Sequence, residues 1–164
     1  MFAAYPEWDY KGRDVVAKVA TKLYSARPLP SRLSPLIFMT DPERVPDVVA
    51  AAQKLPRGTA IIYRHFGSAH KFVDAEALRH VTFERGQQLL IGADPELAIE
   101  VGADGVHFRR DAKVELPTLW RRRCPDWLIS MAGIKSGNYA GDLSVLDGLL
   151  ISSVFPSQSS SAGQ

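Results

Sequence analysis

The sequence predicts an α/β fold of parallel strands alternating with helices, and three observations carry that reading. Six short apolar runs, each the length of a strand, recur along the chain. Segments with helical spacing, punctuated by Pro, Gly or Asp, separate them. The runs are continuously apolar rather than alternating, as expected of strands covered on both faces. Such units join by right-handed crossovers. Periodicity alone allows either an open doubly wound sheet or an eight-stranded (β/α) barrel. No Gly-x-Gly-x-x-Gly follows the first strand, so a dinucleotide-binding sheet has little support.

The elements follow in order. Asp14 can cap a helix whose Val15, Val16, Val19, Ala20 and Leu23 fall on one face. Arg27-Pro28-Leu29-Pro30-Ser31 and Pro35 then make an extended connector. Residues 1–35 therefore read as an N-terminal helix and Pro-rich linker, and residues 36–164 as the main domain. Leu36 to Met39 is the first strand. Pro42 and Pro46 open a helical stretch through Val48, Val49, Ala52 and Leu55, which Gly58 breaks. Ala60 to Tyr63 is the second strand. Ala69 to Arg85 is helical, with Phe72, Leu78 and Val81 as its apolar positions, and Gly86 stops it before the third strand at Leu89 to Ile91.

The next unit has the clearest punctuation. Asp94 is an N-cap, Pro95 the first helical residue, and Gly102 the stop, with Leu97, Ala98 and Val101 facing inward. Gly105 to Phe108 is the fourth strand, Pro117 to Arg123 a short helix, and Trp127 to Met131 the fifth strand. A weak helix around Tyr139 to Leu146 leads to a sixth strand at Leu149 to Ile151. The Ser-rich end, Ser157 to Gln164, has almost no apolar content and reads as mobile.

Composition bounds the function. The 164 residues carry 20 Lys+Arg against 18 Asp+Glu, and 46% are hydrophobic. That balance fits a globular chain and gives no general pull on nucleic acid or an anionic membrane. No apolar run approaches the roughly 20 residues of a membrane-spanning helix, and Met1 to Trp8 lacks the pattern of a signal peptide. A lone cysteine, Cys124, cannot form an internal disulfide, so a reducing cytoplasm is expected and the thiol is read as structural. Arg121-Arg122-Arg123 reads as the exposed end of a short helix beside its negative dipole end.

Both candidate architectures place functional groups at the C-terminal ends of strands. Those ends carry Thr40-Asp41, Arg64-His65, Gly92-Ala93-Asp94, His107 with Arg109-Arg110-Asp111, Ser130, and Ser152 to Ser157. The inventory is polar and partly cationic, which suits a small anionic ligand. Arg64 is the strongest phosphate candidate. His107 is either a ligand contact or a packed core histidine. Ser157 and Ser159 are either a phosphate loop or part of a polar tail. Tyr63 and His65 are expected to face the helix layer or a loop.

Three ordered motifs carry a resemblance. Ala103-Asp104-Gly105-Val106-His107-Phe108 is similar to the A-D-G-V-H-L-G-Q signature of thiamine phosphate synthases. Val154 to Ser159 resembles their V-F-P-T-x-T-K loop, and Leu36 to Asp41 their L-Y-L-V-T-D first strand. The match runs from about Leu36 to Gly163. It implies the superfamily of thiamine phosphate synthase and thiazole tautomerase, with a TIM-barrel fold. In that family the synthase joins a pyrimidine diphosphate to a thiazole phosphate and releases pyrophosphate with Mg²⁺.

Residue by residue, the resemblance implies substrate contacts at Arg64, His107, Ser157 and Ser159, and a damaged catalytic set. The family's Q-x-R-x-K reads Ile62-Tyr63-Arg64-His65-Phe66, so only the arginine survives. The Mg²⁺ carboxylate positions are Ala93 and Ala112. The acid/base histidine of the tautomerase is Ile134, and the loop lysine is Ser160. A hard cation needs oxygen ligands, and departing pyrophosphate needs charge stabilisation. Each such loss often costs ~2.7–4 kcal/mol of barrier, so negligible synthase activity is expected. Arg109-Arg110 could replace some of the lost charge, although such pairs are more often solvated.

Length sharpens the expectation. A (β/α)₈ barrel takes about 250 residues and at least about 200, whereas about 129 follow Pro35. The expected fold is thus an incomplete TIM-barrel type of about six βα units with an extra N-terminal helix. A shortened chain is favoured over two alternatives, in which the N-terminal helix or a partner chain covers the open edge; a homo-oligomer stays open.

Overall fold

A computed structural model describes residues 13–25, 31–133 and 141–151. It contains helix α1 (Arg13–Ser25), strand β1 (Ile37–Met39), α2 (Val48–Lys54), β2 (Ala60–Tyr63), α3 (Lys71–Glu84) and β3 (Gln88–Gly92). These are followed by α4 (Pro95–Glu100), β4 (Gly105–Phe108), α5 (Leu116–Arg123), β5 (Leu128–Gly133), a 3₁₀ turn at Leu143–Val145 and β6 (Gly148–Ile151). All six predicted strands form.

Every strand pairs in parallel with the next in sequence, giving the order β1-β2-β3-β4-β5-β6. A doubly wound sheet reverses its strand order at a switch point, so this uninterrupted order selects the barrel alternative. Side-chain packing shows the curl. Ile37 of β1 and Leu150 of β6 pack into one cluster with Ala60, Ile62, Leu90 and Leu128. In a flat sheet, strands five positions apart would lie about 24 Å apart. The described residues thus form six parallel strands alternating with helices, an incomplete TIM-barrel type fold.

The pleat divides each strand between two layers. Ile61, Tyr63, Leu89 and Ile91 point outward to Ala75, Leu78 and Val81 of α3 and to Leu97 and Ala98 of α4. Val106, Phe108, Ile129 and Met131 point outward to Trp120 of α5. Most are completely buried, and each such aliphatic side chain contributes roughly 1.5–3 kcal/mol. Gly105 has a separate task. A Cβ there would lie 1.9 Å from the Leu128 carbonyl oxygen, so only glycine lets β4 approach β5 so closely.

Several elements differ from expectation. Helix α1 forms, but Asp14 lies in its first turn rather than at its cap. Val15, Val16 and Val19 are each more than half exposed, whereas Ala17 is buried. The helix turns its small side chains, Ala17, Ala20 and Thr21, toward Ser34, Pro35 and Thr59. Ser31 to Pro35, expected as the end of a connector, packs under the sheet. Leu33 enters the inner cluster, and the Gln88 side chain accepts from Ser34 N at 2.9 Å and donates to the Arg32 carbonyl at 2.8 Å.

Strand β1 was expected to be covered on both faces, but it is only half-buried because it forms a sheet edge. Helix α2 begins later than Pro42 and Pro46 imply. Asp47 caps it by accepting from Ala50 N at 2.8 Å. On α3, Phe72 is partly exposed while Ala75 and Thr82 take buried positions. Of the expected Tyr139–Leu146 helix, the part within the described residues is the single 3₁₀ turn, started by Asp142.

Arg121 is not a solvated end of α5. Its guanidinium donates to the carbonyls of Pro125, Trp127 and Val145 and to Asp147. Arg122 and Arg123 are exposed, as expected. No helix among the described residues is long and apolar enough to cross a membrane.

Candidate functional site

The C-terminal ends of β1, β2, β4 and β5 bring five polar residues together: Thr40, Asp41, Arg64, His107 and Ser130. Parity decides which side chains share the inner face. Register places Gly92 opposite His107, and His107 opposite Ser130. All three therefore belong to one layer of the mouth.

Arg64 extends from the end of β2. Its backbone N–H donates to Thr40 Oγ1 at 2.8 Å, and its Nε donates to the Thr40 carbonyl at 2.6 Å. A terminal guanidinium nitrogen lies 3.5 Å from Asp41 Oδ2. Gly92 leaves room for the arginine, since a Cβ there would come within 3.3 Å of Arg64 Cγ and 3.1 Å of the Tyr63 carbonyl oxygen. The side chain remains one-quarter exposed. Burial pulls the guanidinium below its ordinary pKa, and Asp41 opposes that shift.

His107 is 5% exposed and Ser130 fully buried. The imidazole Nδ1 and the Ser130 hydroxyl are 2.9 Å apart and share a hydrogen bond. Burial, and secondarily the charge of Arg64, pushes the His107 pKa down to about 4. The ring is therefore neutral at pH 7. The mouth combines one accessible guanidinium with a neutral, hydroxyl-anchored imidazole. It can hold an anion by charge at Arg64 and orient a polar group at His107.

Tyr63 and His65 lie in the helix layer and the following loop. Tyr63 donates to Asp74 at 3.2 Å, and burial followed by Asp74 raises its pKa. His65 Nδ1 accepts from Gly67 N at 3.0 Å, and its Nε2 faces Asp94 at 3.4 Å. Burial lowers the His65 pKa against the pull of Asp94. Ser157, Ser159 and Ile134 lie outside the described residues.

The positions implied for Mg²⁺ lack its oxygen donors. Ala93 and Ala112 present methyl groups where the resemblance implies carboxylates. Neighbouring Asp94 caps α4 through Leu97 N at 3.0 Å and accepts from Lys71 Nζ at 2.6 Å. Asp111 is gripped by Arg109 at 2.9 and 3.1 Å, which holds its pKa below the usual range. Arg109 is thus paired at the surface. No group of three His, Cys, Asp or Glu residues poised for a metal occurs among the described residues. The donor set does not fit a hard divalent cation.

Sequence reasoning placed Arg64 and His107 at the mouth but assigned no role to Ser130 or Thr40. The available signal was positional: both follow apolar strand residues with the parity of the inner face.

No family model matches the sequence, and no curated protein matches it. Among solved structures, the chain is similar to thiamine phosphate pyrophosphorylase from Pyrococcus furiosus, with a TM-score of 0.57 and 21% identity. The chain has a thiamine phosphate synthase-like fold. The similarity covers 74% of this chain and 61% of the Pyrococcus furiosus chain. At this identity the similarity establishes the fold alone.

Proposed function

We propose that the chain binds a small phosphorylated ligand, of the thiazole or pyrimidine phosphate class, at the mouth of its six-stranded sheet. It does so in thiamine metabolism, in a reducing cytoplasm, with weak or no synthase activity. The carrying observation is the convergence of Arg64 and His107 at 25% and 5% exposure, with Gly92 opposite His107 admitting the arginine side chain. Arg64 supplies the charge for the phosphate. His107, held by Ser130, offers a neutral polar contact. Ser157 and Ser159 supply further hydroxyls to the phosphate.

The methyl groups of Ala93 and Ala112 favour a module that binds without transferring a group. Binding is then independent of Mg²⁺. Calorimetry with thiazole phosphate, thiamine phosphate and pyrophosphate tests the reading. At least one should bind equally with Mg²⁺ or a chelator present, and Arg64→Gln should weaken it at least tenfold, since a charge-assisted contact is worth about 1.5–3 kcal/mol. Absence of heat with all three would contradict binding. Ordinary synthase turnover with Mg²⁺ would contradict the non-catalytic reading.

A further inference from the structure

Beside Arg64, the chain exposes an aromatic ring in an unusual setting. Phe66 follows β2 by three residues, has φ +46°, and is 59% exposed. Left-handed backbone is disfavoured for a bulky side chain. Exposure means that burial of the ring does not offset this cost. The ring is nevertheless placed: the Arg64 Cζ lies 5.1 Å from its centroid, a cation–π distance. One face of the phenyl ring thus meets the guanidinium that the proposed function assigns to phosphate.

We propose that Phe66 is the specificity-determining residue of the mouth, stacking on a planar ring of the ligand while Arg64 holds a single phosphate on a short arm. This rests on the proposed function and adds the ligand's shape to it. A second cation at position 66 would favour a diphosphate. A phenyl ring instead favours an aromatic monophosphate, because stacking rewards a π-face and offers nothing to a second phosphate. Lys71 does not supply such a charge freely, since its ammonium is bonded to Asp94 at 2.6 Å.

The test compares three probes, 2-phenylethyl phosphate, ethyl phosphate and pyrophosphate, on the full chain by calorimetry. The wild-type protein should bind 2-phenylethyl phosphate about tenfold tighter than ethyl phosphate. Phe66→Leu should bring the two within about twofold, and Phe66→Lys should shift preference to pyrophosphate by about tenfold. Position 66 is exposed, and circular dichroism of each variant serves as the check that it is folded. Equal wild-type binding of the two monophosphates, or a ring preference that survives Phe66→Leu, overturns the role of Phe66. If Arg64→Gln abolishes phosphate binding in that case, the mouth remains the binding site and only the aromatic subsite falls. Undiminished binding by Arg64→Gln overturns the site and the subsite together.

Discussion

His107 shows how one residue's environment sets its chemistry. An imidazole on an exposed strand end would titrate near 6.5. Here burial removes water, Arg64 adds a like charge, and the pKa falls to about 4. The folded pKa lies below the unfolded one, so the unfolded chain takes up the proton first as pH falls. The stability contribution is fully present above about pH 6.5 and is lost progressively down to about pH 4. The difference is worth roughly 3 kcal/mol. His65, also shifted down by burial, acts in the same direction. Denaturant unfolding between pH 7.5 and 4 should show the decline, and His107→Gln should flatten most of it. A wild-type stability independent of pH across that window would contradict the buried neutral imidazole.

At the scale of elements, one device occurs twice. Asp104 precedes Gly105 at the start of β4, and its Oδ2 accepts from Leu89 N at 2.8 Å and from Arg79 at 3.0 Å. Asp147 precedes Gly148 at the start of β6, and its Oδ2 accepts from Ile129 N at 2.8 Å and from Arg121 at 2.6 Å. In both, a carboxylate ties an earlier strand to an arginine on a helix. Asp147 also takes Arg32 at 2.9 Å, fastening the segment before β1 beneath β5 and β6. Removing this largely buried carboxylate takes the counter-charge from both arginines and the acceptor from Ile129 N, and such losses cost about 3 kcal/mol. Asp147→Ala should lower unfolding free energy by about that amount in urea. A loss below about 1 kcal/mol would show that the clamp is incidental. The same elements show what could be read locally. Helix α4 was legible because Asp94 and Pro95 act within one turn. The roles of Arg121 and Arg32 were not, because Asp147 lies 26 and 115 positions away. The outward turn of the α1 valines was equally hidden, since periodicity marks an apolar stripe but not which face meets the sheet.

For the whole molecule, the six strands pair in sequence order, curl around Leu33, and carry their polar groups to one end. The parallel α/β fold was legible from six apolar runs and their spacing, and its barrel form from the resemblance that three ordered motifs carry. Arg64 and His107 were legible as strand-end residues, whereas the partnership of His107 with Ser130 needed the β4–β5 register. The central claim is that this end holds the ligand. An NMR titration with thiazole phosphate, following the His107 ring and the Arg64 Nε, tests it most directly. Both signals should move on saturation while those of Ala17 and Thr21, at the opposite end of the sheet, stay still. Unmoved Arg64 and His107 signals, with shifts confined to the α1 end, would contradict it.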